Sequence, residues 1–504
     1  MPNQRNTVRL RIPRISSELL LYVLVTPLVV FLGLVVSLGD KLLDMMIFAI
    51  VGGGFLLFLP LPFLMYALII TTLLIAGTAE YFGKISQAQW IPFLMALALY
   101  ARLPFEMLRN NRATSSRVDK QNPPALYWLI AIYLALIVLT AIVNQAPILQ
   151  TLVGAKSYLF FWSFLFLILV ANLPPEQLDS FWKSIVLVAV LQLPFVIYQH
   201  FVIMKQRVAL WGADAVVGTF GGDPNGGGSN STLLLYMLVA ALYATALYRE
   251  GLLKRGWWLS TLFLSATVIA LGETKIALVL IPLGFAIVYW DHLKRNFAAL
   301  AGFAAVMAVA IGSLLVIYQL AYWDDMFRSR SLGESIEKSV NYMTDPYNMK
   351  RETGEVGRTA ALNLWWEDPK ADALRRTIGY GPGASRGRST ISIGEVALRY
   401  VPYEINANAA AALLWDLGVI GLLLFSAILA SGALLAYRVA GWVAPNSPQR
   451  AGLRTAAAML ACLFIMIPYN RYVVDQAAVQ LLMVFCLAYA AYWYRASAKQ
   501  GSTK

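Results

Sequence analysis

Six of the eleven residues in the segment 218–228 are glycine, and this segment is the first place where the sequence could bind a ligand. Glycine permits positive backbone φ angles and lets a ligand approach the main chain closely. Successive backbone amides in such a segment can form an anion-binding nest. A flexible turn explains the same composition, and an Asp-Pro pair is typical of turns. The segment therefore predicts either an anion site built on Gly221, Gly222 and Asp223 or a simple connection.

Basic residues near this segment and elsewhere could bind the same kind of ligand. Lys275 and Glu273 lie in a short turn between two apolar runs, at a depth where charged side chains are costly. Lys275 also precedes a predicted helix, whose N-terminal dipole favours an anion. The competing interpretation is that Lys275 extends to the membrane surface and pairs with Glu273. Arg207 and Arg471 are further candidates, although Arg471 between two tyrosines is also typical of a headgroup anchor.

The composition places these candidates in an all-α polytopic membrane protein. Hydrophobic residues make up 59% of the chain and charged residues 13%, against about 25% charged in soluble domains. Runs of roughly 17 to 25 apolar residues can cross a bilayer, and the chain contains about fourteen of them. They are 18–38, 43–59, 62–79, 88–107, 125–143, 157–173, 183–204, 231–249, 256–271, 275–291, 297–318, 409–437, 454–469 and 475–494. Only Leu59 to Pro62 separate the second run from the third, so a re-entrant pair is the alternative interpretation of these two.

Lysine and arginine alternate between the connections, which predicts the orientation because cytoplasmic loops carry the excess of both. The basic amino-terminal tail predicts that both termini are cytoplasmic. The connections on the same side carry Arg109, Arg112, Arg117, Lys120, Arg249, Lys254, Arg255, Lys294, Arg295, Arg438, Arg450 and Arg454. The net charge of +13 is then mainly a topology signal, and no nucleic-acid partner is needed to explain it.

Cysteine and histidine are too few to build a metal site or a disulfide framework. The two cysteines, Cys462 and Cys486, lie in apolar runs, as small core residues do. The two histidines, His200 and His292, lie far apart, and a histidine-based metal site needs more ligands. We therefore expect no metal and no cofactor.

The segment 319–408 is the longest polar stretch of the chain. It carries twelve Lys/Arg and twelve Asp/Glu, two adjacent tryptophans and the glycine turn GYGPG at 379–383. Loops of this length are usually functional or disordered, and the aromatic residues favour a folded lid or small domain over a solvated spacer. The predicted organisation is a bundle at 1–318 with spans 1 to 11, an external loop at 319–408, and spans 12 to 14 at 409–504.

Several short motifs around this loop resemble those of O-antigen ligases and the related Wzy-type polysaccharide polymerases. The motifs are VGTFGGDP at 217–224, GETK at 272–275, Arg358 followed by Leu364 and Trp365, GYGPG at 379–383, and LWDLGVIGLL at 414–423. GETK is similar to the family's Gly-Ser-Arg-Gly helix start, with Lys275 in the place of arginine. The motifs together cover residues 190 to 435. Their order around one long loop indicates the family more specifically than any single motif does.

The resemblance implies a membrane glycosyltransferase with a GT-C-like fold and no metal. Its donor would be a glycan on undecaprenyl pyrophosphate, used at the periplasmic face of the bacterial inner membrane. Its other partners would be a glycan or lipid acceptor, the lipid bilayer and other polysaccharide assembly proteins. Ligases of the family place a histidine before the helix that follows the loop, whereas this chain has Asn-Ala-Asn at 406–408. That difference favours a polymerase or a divergent relative.

The residues can be given roles in such a transfer. The pyrophosphate leaves as a multiply charged anion, which fixed cations stabilise. The catalytic candidates are Lys275 and Arg358 at the pyrophosphate, and Glu404 as the base, because it is the carboxylate nearest to the missing histidine. The candidates for substrate binding are Arg351, Arg207, Gly221, Gly222, Asp223, Asn408 and Arg471.

Two other functions fit the same pattern. A lipid-linked oligosaccharide flippase would also line its path with basic residues. The chain shows no internal repeat of the kind many transporters have, which speaks against a flippase. A non-catalytic component of a polysaccharide assembly complex is the third possibility, and the missing histidine favours it.

Overall fold

The computed structural model describes residues 59–113, 124–171, 173–204, 215–222, 228–320, 324–325, 328–329, 332–387 and 392–501. Over these residues the chain is helical, apart from a short antiparallel pair of strands, β1 (Asp324–Asp325) and β2 (Arg328–Ser329), and two isolated bridges. Pro60–Lys504 form one compact unit.

Apolar helices occupy most of the chain before the long loop. They are α1 (Leu61–Tyr81, with a π-helical turn at Thr71–Ile75), α2 (Trp90–Ala113), α3 (Ala125–Val143), α4 (Ile148–Tyr158), α5 (Trp162–Val170), α6 (Pro175–Tyr198), α7 (Asn230–Arg249), α8 (Arg255–Leu271), α9 (Ala277–Leu293) and α10 (Phe297–Tyr318). A 3₁₀ turn, Ser86–Gln89, leads into α2, and a π turn, Gln199–Ile203, extends α6.

The long loop contains short helices and is followed by the remaining apolar ones. The loop helices are α11 (Leu332–Thr344), α12 (Arg358–Glu367), α13 (Ala373–Ile378) and α14 (Glu395–Arg399). The helices after the loop are α15 (Ala409–Ala440), α16 (Pro448–Met466), α17 (Tyr472–Asp475) and α18 (Ala477–Gly501).

Eight helices of the described chain are long and apolar enough to cross a membrane, and the bent pair α4–α5 makes a ninth if it counts as one span. Two shorter apolar helices, α8 and α9, accompany them. The protein is therefore a helical polytopic membrane protein. Every predicted span from 62–79 onward coincides with a helix or with part of the bent pair. The first two predicted spans, 18–38 and 43–59, lie outside the described residues apart from Leu59.

The predicted span at 157–173 differs from the structure. This apolar run corresponds to α5, which has nine residues, and α4 meets it at an angle of 54°. A nine-residue helix is about 14 Å long, too short to cross a bilayer by itself, so a span at this place would have to include α4 as well. Close packing accounts for the position of α4, because a Cβ atom at Gly154 would lie 2.3 Å from the carbonyl carbon of Pro382 in the long loop. The bend brings α4 beneath that loop.

Ionic and polar contacts gather the connections at one end of the bundle. Asp291 near the end of α9 pairs with Arg249 of α7 at 3.9 Å and with Arg454 of α16. Gln449 of α16 donates a hydrogen bond to Asp179 near the start of α6 (2.8 Å). We call this end the basic face, and the connections that meet there belong to the set assigned to the cytoplasm by the Lys/Arg count.

The remaining connections gather at the opposite end, which we call the loop face. Glu80 at the end of α1 accepts a hydrogen bond from the Gly222 amide (2.9 Å). Glu404 of the long loop pairs with Arg471, between α16 and α17, at 3.2 Å. The Lys/Arg alternation thus divides the described connections into the same two groups as the contacts do.

The long loop packs on the start of α15 through its own apolar core. Trp365 of α12 and Tyr380 of the glycine turn are buried together with Trp415 of α15, and the Tyr380 and Trp415 ring centroids are 6.0 Å apart. A second buried group joins α12 to Ala411 of α15. The loop is consequently a folded part of the bundle over residues 332–387 and 392–408.

Candidate functional site

The residues 215–222 form an irregular strap that is buried against the helices. Gln199 accepts hydrogen bonds from the amides of Val217 and Gly218, at 2.9 and 2.7 Å, and donates one to the Gly218 carbonyl. Gln192 accepts a hydrogen bond from the amide of Thr219 (2.8 Å). The two glutamines are seven residues apart, so they lie on one side of α6 and its extension. They satisfy backbone groups that would otherwise be costly to bury at this depth.

The glycine segment continues the strap and binds an anion that belongs to the protein. Gly222 donates its amide hydrogen to Glu80 Oε2 (2.9 Å), and Gln89 donates its side-chain amide to the same oxygen (2.6 Å). Gly221 has a φ of +87°, and a Cβ atom there would lie 2.1 Å from Glu80 Oε2. The glycine-rich sequence therefore allows a carboxylate to approach the main chain. Asp223, the third residue predicted here, lies outside the described residues.

Replacing Gly221 with alanine should destabilise the protein by about 2 to 4 kcal/mol, from backbone strain together with the loss of the Glu80 contact. Gly251→Ala is the matched control, because Gly251 also has a positive φ (+71°) but has open space around its Cβ position. Thermal unfolding of the purified variants in detergent measures the difference. Equal melting temperatures for the two variants would show that the contact between Glu80 and the glycine segment contributes nothing.

Arg471 is the centre of a charged cluster under the long loop. It pairs with Glu404 at 3.2 Å and with Asp475 at 3.9 Å, and its Nη1 lies 3.5 Å from the Asn406 side-chain oxygen. Glu404 and Asn406 come from the end of the long loop, Arg471 directly precedes α17, and Asp475 is the last residue of α17. The structure therefore brings together two of the predicted site residues, Glu404 and Arg471, in direct contact.

Arg386 completes this cluster from the other side. Its guanidinium pairs with Asp475 and donates a hydrogen bond to Ser157 Oγ (2.8 Å) at the end of α4. Ser157 in turn donates to Asp475 Oδ1 (2.7 Å). Burial, followed by the charge of Arg471, lowers the pKa of Arg386 to about 10, so the guanidinium stays charged at neutral pH. A small cavity between these side chains has about 10 Å³ of space for the centre of a water molecule, enough for about one water.

Arg386, Asp475 and Ser157 were not predicted as site residues. Two signals in the sequence could have indicated the first two. Asp475 follows Arg471 by four residues, which places both on one side of a helical turn. Arg386 follows the GYGPG turn by three residues, so any ligand bound near that turn would be within its reach.

The glycine turn 379–383 positions Arg386 by binding to Asp416 of α15. The Asp416 carboxylate accepts hydrogen bonds from the amides of Gly383 (3.0 Å) and Ser385 (2.8 Å) and from the hydroxyl of Tyr158 (3.0 Å). Asp416 also lines the cavity. A buried carboxylate with several donors around it fixes their relative positions, so the turn, α4 and α15 meet at one point.

Helix α15 is interrupted where the turn contacts it. Gly418 has a φ of +68° and a ψ of −170°, a conformation essentially restricted to glycine. The break frees carbonyls of the preceding turn, and the amides of Tyr380 and Gly381 bind the Trp415 and Asp416 carbonyls at 2.9 and 3.0 Å. The loop thus supplies hydrogen bonds that a continuous helix would have made by itself.

Arg358 and Asn408, two further predicted residues, lie against each other beside the cluster. Arg358 begins α12, donates to the Ala407 carbonyl, and has its guanidinium carbon 5.5 Å from the centroid of the Tyr469 ring. Asn408 is fully buried, caps α15 by accepting a hydrogen bond from the Ala411 amide (2.8 Å), and donates to the Arg358 carbonyl (3.0 Å). Both residues therefore hold the start of α15 against the loop.

The other predicted cations do not line the cavity. Lys275 is exposed in the turn between α8 and α9, next to the buried Glu273, and Arg351 is exposed in a turn of the long loop. Arg207 lies outside the described residues. Lys275 lies on the loop face, but the cations gathered beneath the loop are Arg386 and Arg471.

A second polar network holds the helices of the long loop together. Asp368, at the end of α12, is 3% exposed and accepts hydrogen bonds from Tyr380 (2.8 Å), Tyr400 (3.1 Å) and Arg399 (3.3 Å). Burial raises the pKa of Asp368, but the Tyr380 hydroxyl, the Lys370 amide and then the charge of Arg399 outweigh it, so the pKa lies below its ordinary value.

The lowered pKa predicts that the long loop loses stability in acid. A carboxylate with a depressed folded-state pKa stabilises the fold fully above the unfolded-state value of about 3.9. That contribution is lost as the pH falls through the folded-state value. Limited digestion, with an acid-active protease at low pH and a neutral protease at pH 7, should show this loop becoming sensitive below about pH 4. Asp368→Asn should be sensitive already at neutral pH, whereas Glu352→Gln, an exposed control in the same loop, should behave as the unaltered protein.

Among the described residues, no group of three or more His, Cys, Asp or Glu side chains is placed to hold a metal ion. The cluster instead offers two guanidiniums, which bind phosphate oxygens in bidentate fashion, and carboxylates that can accept a proton. No protein-family model matches the chain, and no curated protein matches it significantly.

Proposed function

We propose that the protein is a glycosyltransferase of surface polysaccharide assembly in the bacterial inner membrane. It would polymerise or transfer a glycan carried on undecaprenyl pyrophosphate at its loop face, which would be periplasmic. The observation that carries the proposal is the cluster of Arg386, Arg471, Asp475 and Glu404 under the long loop. Two of the motifs that resemble those of polymerases and ligases also lie beside this cluster, since GYGPG and LWDLGVIGLL meet at Asp416.

The cluster has the groups that the transfer needs. The bond between the glycan anomeric carbon and the pyrophosphate oxygen breaks, and the electron pair leaves with the oxygen. Arg386 and Arg471 would stabilise the charge that develops there, in a site that excludes most water. The acceptor hydroxyl oxygen forms the new bond to the anomeric carbon, and its proton would pass to Glu404.

The ion pairs of the cluster must open before a phosphate can bind. The cavity has room for about one water, and Asp475 and Glu404 occupy the guanidinium positions that phosphate oxygens would take. The incoming donor would therefore displace these carboxylates. The same exchange would release Glu404 from Arg471. Binding of the lipid pyrophosphate to the arginines would therefore also make Glu404 available as the base.

We further propose fourteen spans with a GT-C-like arrangement and both termini in the cytoplasm. The grouping of the connections into a loop face and a basic face supports this topology. Reporter fusions at Pro346, in the long loop, and at Lys499, near the carboxy terminus, should report opposite sides of the membrane. The topology would be wrong if both reporters were active on the same side.

The decisive experiment is reconstitution of the purified protein with lipid-linked repeat units. A polymerase lengthens the lipid-linked glycan, and a ligase moves it to a second acceptor, both without an added metal. A flippase would move the intact donor between leaflets and leave its length unchanged. Glycan length by gel and mass spectrometry, measured together with leaflet distribution, separates these outcomes.

A further inference from the structure

A second cavity lies at the basic face, between the starts of α1 and α6, the later part of α2 and the end of α5. The centres of water molecules could occupy about 250 Å³ of this cavity, far more than in the cavity at the loop face. One wall is apolar and includes Pro60, Leu61 and Leu173, whereas the other carries Arg102, Arg109 and Gln177. The cavity thus combines an apolar side with a polar one at the ends of membrane spans.

The polar wall carries an excess of positive charge. Arg102 and Arg109 are seven residues apart on α2, so they lie on the same side of the helix. Both pair with Glu106, which is 2% exposed, at 3.4 and 2.9 Å. Two guanidiniums thus share one carboxylate. Arg109 is 66% exposed, so it can turn toward a ligand without leaving a buried position.

The start of α6 adds donors to the same wall. This helix has 24 residues, and the dipole at its first turn favours an anion. Gln177 lies in that first turn and lines the cavity, and its buried Nε2 has no hydrogen-bond partner among the described residues. A buried amide donor without a partner is costly, and an acceptor oxygen in the cavity would remove that cost.

We propose that this cavity binds the phosphate headgroup of an anionic phospholipid. The guanidiniums and the Gln177 amide would bind the phosphate oxygens, and the apolar wall would contact the glycerol and the first part of the acyl chains. A basic pocket between spans at a membrane surface is suited to this class of ligand. The apolar wall favours a lipid over a free phosphate, since a free phosphate gains nothing from it. The site lies on the face opposite to the glycan-transfer cluster and is independent of the proposed enzymatic function.

Native mass spectrometry of the purified protein tests this site. Phosphatidylglycerol should bind about tenfold more tightly than phosphatidylcholine with the same acyl chains, a difference typical of one charged hydrogen-bonded contact. Arg109→Gln and Gln177→Glu should each remove most of that preference, the first by deleting a cation and the second by adding a repelling charge. Arg255→Gln is the matched control, because Arg255 is exposed at the start of α8 and does not line the cavity.

Three results would overturn the proposal. Equal affinity for the two lipids would show that no anion site exists, and a preference that Arg109→Gln and Gln177→Glu leave unchanged would place the anion site outside this cavity. Soluble glycerol 3-phosphate that competes as well as the whole lipid would assign the cavity to a free phosphate. These measurements need no glycan transfer, so they stand whether or not the enzymatic proposal holds.

Discussion

Arg471→Ala should lower the turnover of glycan transfer by two to three orders of magnitude. Removing one charged donor from a site where anionic charge develops typically costs about 2 to 4 kcal/mol in the transition state, and each 1.4 kcal/mol is about tenfold in rate. Arg386→Ala should have a similar effect, because the two guanidiniums lie on either side of Asp475. The rate of glycan extension in proteoliposomes, corrected for the amount of protein, measures both.

Conservative variants and a control make this expectation specific. Arg471→Lys keeps the charge but loses the paired donors, so it should recover only part of the rate. Arg351→Ala removes an arginine that is exposed in the long loop and does not line the cavity, and it should keep the full rate. Near-normal turnover of both Arg471→Ala and Arg386→Ala would contradict the proposed site.

Gly418→Ala should destabilise the protein by about 3 kcal/mol or more and abolish transfer. The backbone conformation at Gly418 costs a side-chain-bearing residue about 1 to 3 kcal/mol. A Cβ atom there would also lie 2.3 Å from the Thr377 carbonyl oxygen, so the loop would have to shift away from α15. Such a shift would separate Arg386 from Asp475, because the contact between the loop and α15 positions Arg386.

Gly312→Ala in α10 is the control for this variant. A Cβ atom at Gly312 would meet no atom within 4 Å, and alanine is the better helix former, so the change should be neutral or slightly stabilising. Thermal unfolding and transfer activity of the two variants should therefore differ clearly. Equal stability of Gly418→Ala and Gly312→Ala would mean that the break in α15 is not needed to seat the loop.

The positions of the helices could be predicted from the sequence because they depend on local composition. A run of apolar residues the length of a bilayer forms a helix wherever it occurs, and the distribution of Lys and Arg sets its direction. Those two rules predicted the helical segments from 62–79 onward, and they assigned the connections to the basic face or to the loop face. They did not predict the break between α4 and α5 near 157–173, because α4 contacts the long loop through Gly154 and Pro382, more than two hundred residues away.

The site was predictable only in part, because its contacts also join residues that lie far apart in the sequence. Glu404 and Arg471 were inferred from motifs and from charges near the membrane surface, and the fold brings them together. The contact between Arg386 and Asp475 joins the long loop to α17. No hydrophobic periodicity in the sequence links these two segments. The glycine segment was predicted to form either an anion site or a simple connection, and the sequence could not show that the carboxylate of Glu80, from α1, binds there.

The break in α15 has a consequence for which parts of the long loop can move. Four hydrogen bonds join the loop segment 380–385 to Trp415 and Asp416, and lifting that segment would expose all of them. At about 1 kcal/mol net for each bond, the detached state would be populated in about one molecule in a thousand. The base of the loop therefore acts as a fixed pivot. Substrate entry would have to come from movement of α11 (Leu332–Thr344), which packs on α12, while the part of the loop that packs on α15 stays in place.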